Sequence, residues 1–300
     1  MTRPPIDLPP VEELQPTLAT VVATIGPASE SPEIVRRLIR AGVSIFRFNF
    51  SHGDLASHKK RLETVRAAAK ELNRPTAALG DLQGPKIRVG MVPDPGIMTQ
   101  AGCDVVLKKG ITLAYVDNSD PEHPTPVFPL AYEKLVDEVQ PGHKVLINDG
   151  NVRMIATEID REKGELRCRV LSGGLVTSKK GINVPQTRVS APAITERDWE
   201  CVEWAVANGL DFLALSFVRD AGEVRELRER LATMCPIDKA NDPRGEGSLI
   251  PVIAKIETPQ ALVNIEEIVE ASDGIMVARG DLGVEMDVAR VPVAQKRIIE

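Results

Sequence analysis

Charged side chains stand where apolar runs of the sequence end. Lys255 and Glu257 close the run LIPVIAKIE, and Asp281 follows the short run IMV at residues 275–277. Because residues two apart on a strand share a face, Lys255 and Glu257 are expected to point the same way. Two carboxylates with room for water suit Mg²⁺, and the lysine adds a fixed positive charge. This combination is typical of phosphoryl transfer or enolate stabilisation.

Similar polar groups follow three further predicted strands. The second strand ends with Arg47, Asn49 and Ser51, the third with Asp81, and the fourth with Ser216. A single Lys-x-Glu is usually a surface ion pair, and Arg-Gly-Asp alone is usually a turn. Polar groups of complementary charge at five strand ends instead indicate one shared site, since buried charge is costly unless it is paired or metal-bound.

Apolar runs alternate with helical patterns along most of the chain. Ser31-Pro32, Thr195 and Thr258-Pro259 are typical helix starts. The predicted strands are 17–26, 44–50, 76–82, 212–218, 249–257 and the run from 275, which is expected to end in Arg279-Gly280-Asp281. This order predicts an α/β fold, a TIM-type (β/α) barrel with its site at the carboxyl ends of the strands. An open doubly wound sheet is the alternative, but no GxGxxG or Walker A loop supports it.

The alternation stops between residues 87 and 190. This segment is rich in proline and glycine with short alternating runs, which predicts an inserted all-β domain. The predicted organisation is an N-terminal extension at 1–17, a partial barrel at 18–86 and 191–300, and the insert at 87–190. The barrel segments fall short of the ~250 residues of a full eightfold barrel, so we expect the barrel to be incomplete at its C-terminal end. The polar loop at 238–248 is expected to be a surface insertion.

Composition and charge exclude several classes of protein. The 300 residues carry a net charge of −6 with no basic block, and only 3% are aromatic, which argues against nucleic acid or an anionic membrane as partner. The four cysteines are far apart, as expected of reduced thiols in a cytoplasmic protein. No apolar run reaches the ~20 residues that a membrane span needs, and the proline-rich start does not read as a signal peptide.

Eight motifs in order carry a family resemblance. They are TIGPAS at 24–29, FRFNFSHG at 46–53, GDLQGPKIR at 80–88, NDG at 148–150, SKKGIN at 178–183, LSFVR at 215–219, AKIE at 254–257 and SDGIMVARGDLGVE at 272–285. With these the sequence resembles pyruvate kinase from about residue 18 to 300. The resemblance implies a barrel A domain, with the insert as a mobile B domain that closes over the site. It also implies the glycolytic transfer of a phosphoryl group from phosphoenolpyruvate to ADP, giving pyruvate and ATP.

The same resemblance assigns roles by motif. Glu257 and Asp281 match the ligands of Mg²⁺ or Mn²⁺, Lys255 matches the catalytic lysine, and Arg47 matches the phosphate-binding arginine. The backbone of Gly280 and Asp281 would hold the substrate carboxylate. The monovalent-cation site would comprise Asn49, Ser51, Asp81 and the carbonyl of Leu82, and the nucleotide side Asn49, His52, Arg88 and Lys180.

Two departures from the family pattern lead to further expectations. Lys86 stands where K⁺-dependent members carry glutamate, so its ammonium is expected to replace K⁺. The sequence ends at Glu300, before the last barrel strands and the C-terminal domain of the family, so the 300 residues alone are expected to be inactive and poorly stable. The parent enzyme is expected to be a homotetramer. Two alternatives remain open: a carbon–carbon lyase on a related pyruvate-binding barrel, and a non-catalytic truncated fragment.

Overall fold

The computed structural model describes residues 19–234 and 250–300. The N-terminal extension predicted at 1–17 and the loop predicted at 238–248 lie outside these residues. Within the described ranges, no helix has the length and apolar character that crossing a membrane requires.

The strands of the described residues belong either to the barrel or to the insert. The strands are β1 (Val21–Thr24), β2 (Val43–Asn49), β3 (Ala77–Asp81), β4 (Ile97–Thr99), β5 (Asp104–Lys108), β6 (Tyr115–Asp117), β7 (Thr125–Pro129), β8 (Lys144–Ile147), β9 (Val152–Asp160), β10 (Glu165–Ser172), β11 (Gly174–Val176), β12 (Ile182–Asn183), β13 (Phe212–Leu215), β14 (Val252–Ile256) and β15 (Gly274–Val277). The helices are α1 (Pro32–Arg40), α2 (Leu55–Glu71), α3 (Leu135–Glu138), α4 (Glu196–Ala207), α5 (Ala221–Met234), α6 (Pro259–Val263), α7 (Ile265–Ala271), α8 (Arg279–Glu285) and α9 (Val291–Ile299).

Six of the strands form one parallel sheet in the order β1-β2-β3-β13-β14-β15. Helices lie between consecutive strands of this sheet, so it is an α/β sheet of the TIM-barrel type. Among the described residues, β1 and β15 pair on one side only, so the six strands form part of a barrel. The predicted fold class is therefore confirmed. Asn49 and Ala214 are both register partners of Asp81, which aligns the carboxyl ends of β2, β3 and β13.

Local capping explains where the barrel helices begin. The Ser31 hydroxyl accepts a hydrogen bond from the Ile34 N–H at 3.3 Å, with Pro32 in the first turn of α1. Thr195 and Asp198 form a reciprocal capping box at the start of α4. Gly42 follows α1 with a φ of +98°, a conformation that glycine adopts without steric cost. These helix starts agree with the sequence prediction.

Three boundaries differ from the sequence prediction. The fourth barrel strand ends at Leu215, before Ser216 and Phe217 turn away, and the helix predicted after Thr258 is divided at Asn264 into α6 and α7. The run expected to end in Arg279-Gly280-Asp281 ends at Val277, and those three residues open α8 instead. The helix forms there because Leu282 is fully buried one turn in, with its N–H donating to the Ala278 carbonyl at 2.9 Å.

The insert folds around its own apolar core. Seven strands form a sheet in the order β12-β8-β9-β10-β5-β7-β6, and β11 pairs with β4 beside it. One short helix, α3, departs from the predicted all-β content. The core of the insert includes Leu107, Phe128, Met154 and Leu166, whereas a separate cluster holds Phe46 and the barrel helices. The division of the chain at residues 87 and 190 stays a prediction, which these two clusters support.

Candidate active site

A buried lysine lies at the carboxyl ends of three neighbouring barrel strands. Lys255, on β14, is 7% exposed. Its Nζ lies 2.7 Å from Ser216 Oγ, 2.8 Å from Glu257 Oε1 and 3.2 Å from Asp81 Oδ1. Glu257 follows β14, Ser216 follows β13, and Asp81 ends β3. The structure thus brings Lys255 and Glu257 together on one face, as their spacing indicated.

A second cation reaches the same cluster from the other side. Arg47 on β2 donates from Nε to Asp81 Oδ2 at 2.5 Å, and its Nη1 donates to Thr24 Oγ1 at 2.8 Å. Asp81 is 1% exposed and contacts both Arg47 and Lys255. A carboxylate buried to this degree is costly unless its charge is compensated, and these two cations compensate it.

The charges around Glu257 shift its pKa in a definite direction. Burial raises the pKa of Glu257, Lys255 offsets part of that effect, and the negative charge of Asp281 raises the pKa further. The other carboxylate oxygen of Glu257 accepts a hydrogen bond from the Phe217 N–H at 2.7 Å. Burial by itself lowers the pKa of Lys255, but Glu257 and Asp81 outweigh burial and raise it. The lysine is therefore protonated, and the carboxylates beside it favour a further positive charge.

The donor set at Glu257 and Asp281 fits a hard divalent cation in part. Both side chains offer carboxylate oxygens, the ligand type that Mg²⁺ prefers, and Asp281 is exposed at the start of α8. A Cβ built at Gly280 would meet no atom within 4 Å, so the space beside Asp281 is open. Among the described residues, no group of three or more His, Cys, Asp or Glu side chains is arranged to hold a metal ion by itself. An ion at this place therefore needs oxygen ligands from a substrate or from water.

The loop after β3 is fixed from two sides. The Leu82 carbonyl accepts a hydrogen bond from Ser216 Oγ at 2.7 Å, and the buried Asp198 accepts from the Gln83 N–H at 2.8 Å. Gly84 has a φ of +69°, and a Cβ there would lie 3.1 Å from the Ser216 carbonyl oxygen, so a larger residue would be strained. Asp198 completes the capping box at Thr195, the helix start that the sequence predicted. Its second role joins α4 to a loop 115 residues away in the chain, and no local pattern could reveal it.

A pocket lies between the insert and the barrel. Lys86, Asp149 and Asn183 line it from the insert side, and Asp281 and Glu285 line it from α8. The Asn183 amide donates to Glu285 Oε1 at 2.6 Å, which joins the two sides directly. Burial raises the pKa of Glu285 to about 7, although the hydrogen bond from Asn183 opposes the shift. Glu285 was missed in the sequence, although its position four residues after Asp281 places both on one helix face.

Among the described residues, the remaining predicted side chains make no hydrogen bond to Lys255. His52 is exposed and its carbonyl accepts from His58 Nε2 at 2.9 Å, whereas Asn49 Oδ1 accepts from the Ser51 N–H at 3.0 Å. Arg88 donates to the Lys179 carbonyl at 3.0 Å. Asn49 is the register partner of Asp81 and so lies beside the cluster. The contacts of His52 and Arg88 are with His58 and Lys179 instead.

Lys180 and Lys86 belong to the segments that join the insert to the barrel. Lys180 is half-buried, whereas Lys86 is exposed and has its aliphatic end beside Gly181. Within the described part of the chain, no hydrogen bond or ion pair engages the Lys86 ammonium. The oxygens predicted to bind a monovalent cation are partly engaged, since Asp81 contacts Arg47 and Lys255 and the Leu82 carbonyl contacts Ser216.

Comparisons with known proteins agree with one family. The family profile described as "Pyruvate kinase, barrel domain" matches residues 17–300. "Pyruvate kinase 2" of Synechocystis sp. (strain ATCC 27184 / PCC 6803 / Kazusa) is 41% identical over 285 residues, which are 95% of this chain and 45% of that protein. "Pyruvate kinase" of Staphylococcus aureus (strain MRSA252) is 41% identical over 279 residues, which are 93% of this chain and 44% of that protein. The chain spans about half the length of the curated relatives it matches. On its fold, its motifs and these matches, the chain belongs to the pyruvate kinase family and contains the family's barrel domain.

Proposed function

We propose that this chain carries the active site of a pyruvate kinase, which transfers a phosphoryl group from phosphoenolpyruvate to ADP and yields pyruvate and ATP in glycolysis. The observation that carries the proposal is the buried Lys255 ammonium held between Asp81 and Glu257 at the strand ends. Membership of the family and the printed names of the relatives support it.

Glu257 and Asp281 would hold the divalent ion, Mg²⁺ or Mn²⁺, with oxygens of the substrate completing its ligands. Such an ion, when bound, supplies charge neutralisation and polarises the oxygens it contacts. The raised pKa of Glu257 supports this assignment, because burial and the charge of Asp281 destabilise the carboxylate and a bound cation would stabilise it.

Lys255 and Arg47 would contact the transferring phosphoryl group. Lys255 keeps its proton because Glu257 and Asp81 raise its pKa against the effect of burial, so a positive charge is fixed where negative charge must be stabilised. Arg47 presents a planar fork of donors, which suits phosphate oxygens better than a point charge does. Its present partners, Asp81 and Thr24, fix the position of that fork.

The substrate carboxylate would bind the backbone N–H groups of Gly280 and Asp281 in the first turn of α8. The open space at Gly280 supports this, since no side chain obstructs the approach. The nucleotide would lie on the side of Asn49, His52, Arg88 and Lys180. The insert would exclude water over the substrates, which strengthens every electrostatic contact below it.

Activity would not require K⁺. Lys86 is exposed, has no ion-pair partner among the described residues and lines the pocket with Asp281 and Glu285, so it brings a permanent positive charge to the site. The engagement of Asp81 by two cations supports the same proposal, because the carboxylate is compensated without K⁺. A homotetrameric assembly and a cytoplasmic location remain proposals from family membership.

The test is pyruvate formation by the complete gene product that carries these 300 residues. The assay supplies phosphoenolpyruvate and ADP, with Mg²⁺ or with chelator, and with K⁺ or with only tetramethylammonium as the monovalent cation. We expect turnover that needs the divalent ion and is equal with and without K⁺. Turnover only with K⁺ would refute the role of Lys86, and absence of ATP formation under all conditions would refute the function. The 300 residues alone, which we expect to be inactive, are assayed beside it.

A further inference from the structure

One loop touches both the catalytic cluster and the hinge of the insert. Residues 216–219 follow β13, and Ser216 Oγ and the Phe217 N–H contact Lys255 and Glu257. Two residues after Phe217, the Arg219 side chain contacts the segment where the chain returns from the insert to the barrel. The loop is short, so we expect a displacement of Arg219 to move Ser216 and Phe217, which contact Lys255 and Glu257.

The Arg219 guanidinium holds that return segment by its backbone. Nη1 donates to the Val189 carbonyl at 2.5 Å, and Nη2 donates to the Ala191 carbonyl at 2.8 Å. Its other face is fixed by Glu223, which accepts from Nε at 2.6 Å and from the Arg219 backbone N–H at 2.8 Å. Both side chains are largely buried, with exposed fractions of 19% and 12%. The guanidinium is therefore held in place to donate to two carbonyls at once. A lysine ammonium cannot reproduce this planar pair of donors.

Further barrel contacts fix the Arg219 loop and the outgoing connection of the insert. The carbonyl of Arg219 accepts from the Asn264 amide at 2.9 Å, which ties the loop to the junction of α6 and α7. At the outgoing connection, after β3, the Gln83 N–H donates to Asp198 Oδ1 at 2.8 Å. Each of the two connections of the insert is thus bound by a charged side chain from the barrel. Arg219 is the one whose own loop carries groups on the catalytic cluster.

We propose that Arg219 is a positioning residue, which sets the placement of the insert over the site by holding the Val189 and Ala191 carbonyls. The proposal goes beyond the assignment of catalytic groups and rests on the proposed function for its kinetic consequence. Arg219 touches no reacting atom in this scheme. It acts through the return segment and through the loop to Ser216 and Phe217.

The test compares Arg219→Gln and Arg219→Lys with matched changes at Arg228, all in the complete gene product. Arg228 lies on α5, the helix that follows the Arg219 loop, and forms an ion pair with Asp273 at 2.5 Å. Among the described residues, no hydrogen bond or ion pair joins Arg228 to the insert. Hydrogen–deuterium exchange is followed in residues 187–192, together with KM for ADP, KM for phosphoenolpyruvate and kcat. Circular dichroism checks that each variant folds.

We expect Arg219→Gln to speed exchange in residues 187–192 at least about tenfold, because two charge-assisted hydrogen bonds are lost. KM for ADP should rise at least about fivefold, because the nucleotide groups on the insert side lose their placement. Arg219→Lys should give an intermediate effect, and it decides the question if the Gln variant does not fold. Arg228→Gln and Arg228→Lys should change none of these values. General loss of folded protein would lower kcat at unchanged KM, so the rise in KM separates positioning from simple destabilisation.

Equal exchange in the Arg219 and Arg228 variants would overturn the proposal, as would faster exchange at unchanged KM for both substrates. The exchange measurement does not need activity. If the wild-type protein makes no pyruvate, the proposed function fails, while the exchange comparison still decides whether Arg219 holds the insert.

Discussion

The barrel and the insert differ in what they bury. In the described residues, the buried polar side chains of the insert are two threonines, Thr99 and Thr187. The barrel buries six polar or charged residues, namely His58, Asp81, Asp198, Ser216, Lys255 and Glu257. The ion pairs of the insert, such as Lys108 with Glu165 and Arg169 with Asp104, are partly exposed. The interior of the insert is therefore almost wholly apolar. The barrel instead buries charged side chains, whose desolvation is costly.

This difference distinguishes residues that stabilise the fold from residues that act on a ligand. A buried ion pair is weak support for stability, because desolvation offsets much of the attraction. Lys255, Asp81 and Glu257 are therefore best explained by what they do to a ligand. In the proposed function the insert covers the site and excludes water, which needs only an apolar core and a few directed contacts, such as the hydrogen bond of Asn183 to Glu285.

The largest expected effect comes from removing the buried lysine. Lys255→Met should lower kcat at least about a thousandfold, because the fixed charge beside the transferring group is lost. It should also lower the free energy of unfolding by about 3–5 kcal/mol, since Asp81 and Glu257 lose their partner. Steady-state kinetics and urea denaturation measure the two effects.

The matched change in the insert is Lys108→Met, which breaks the ion pair with Glu165. It should cost about 1 kcal/mol or less and leave kcat unchanged, because the pair is partly exposed. If both lysine variants retained wild-type kcat, the contrast between the two regions would be lost.

The second prediction tests whether the two apolar clusters are separate. Phe128 in the insert and Phe46 in the barrel are both fully buried, so truncation of either to alanine should cost about 3–5 kcal/mol. Hydrogen exchange should show the loss of protection in β5 and β10 for Phe128→Ala, and in β2 and β14 for Phe46→Ala. Equal loss in both regions from either variant would mean that the chain unfolds as one unit.

The third prediction removes one hydroxyl from each region. Ser216→Ala deletes a hydrogen bond to the Lys255 ammonium and should lower kcat about tenfold, since bonds to charged groups are worth about 1.5–3 kcal/mol. Thr99→Val deletes a buried hydroxyl that bonds Gly174 in the insert, and it should reduce stability without changing kcat. A kcat loss in both variants, corrected for the folded fraction, would contradict a special role for Ser216.

The smallest expected effect concerns the buried histidine of the barrel. Burial lowers the pKa of His58, and the hydrogen bond to the His52 carbonyl opposes the shift. The unfolded chain therefore binds the proton more readily, so the stability contribution is present above pH ~6.5 and is lost as the pH falls toward the lower folded pKa. The free energy of unfolding should fall below that pH by up to about 1.4 kcal/mol per pH unit, and less steeply in His58→Gln. Parallel curves for the two proteins between pH 5 and 7 would contradict this.

The sequence predicted features that depend on short spacing. Period-two spacing placed Lys255 and Glu257 on one face, and capping residues such as Thr195 marked helix starts. It could not predict contacts that tertiary packing creates between distant segments. The bonds of Arg219 to Val189 and Ala191 and of Asn183 to Glu285 are of this kind. The prediction that Arg279-Gly280-Asp281 ends a strand was wrong for the same reason. Burial of Leu282, rather than local alternation, decides that a helix begins there.

The most direct test of the central claim is pyruvate formation from phosphoenolpyruvate and ADP by the complete gene product and its Glu257→Gln variant. Glu165→Gln, which removes the carboxylate of the partly exposed insert pair, serves as the control. The account predicts divalent-ion-dependent turnover in the wild type and in Glu165→Gln, and at least about a hundredfold loss in Glu257→Gln. Wild-type turnover in Glu257→Gln would contradict the claim that the barrel strand ends carry the chemistry.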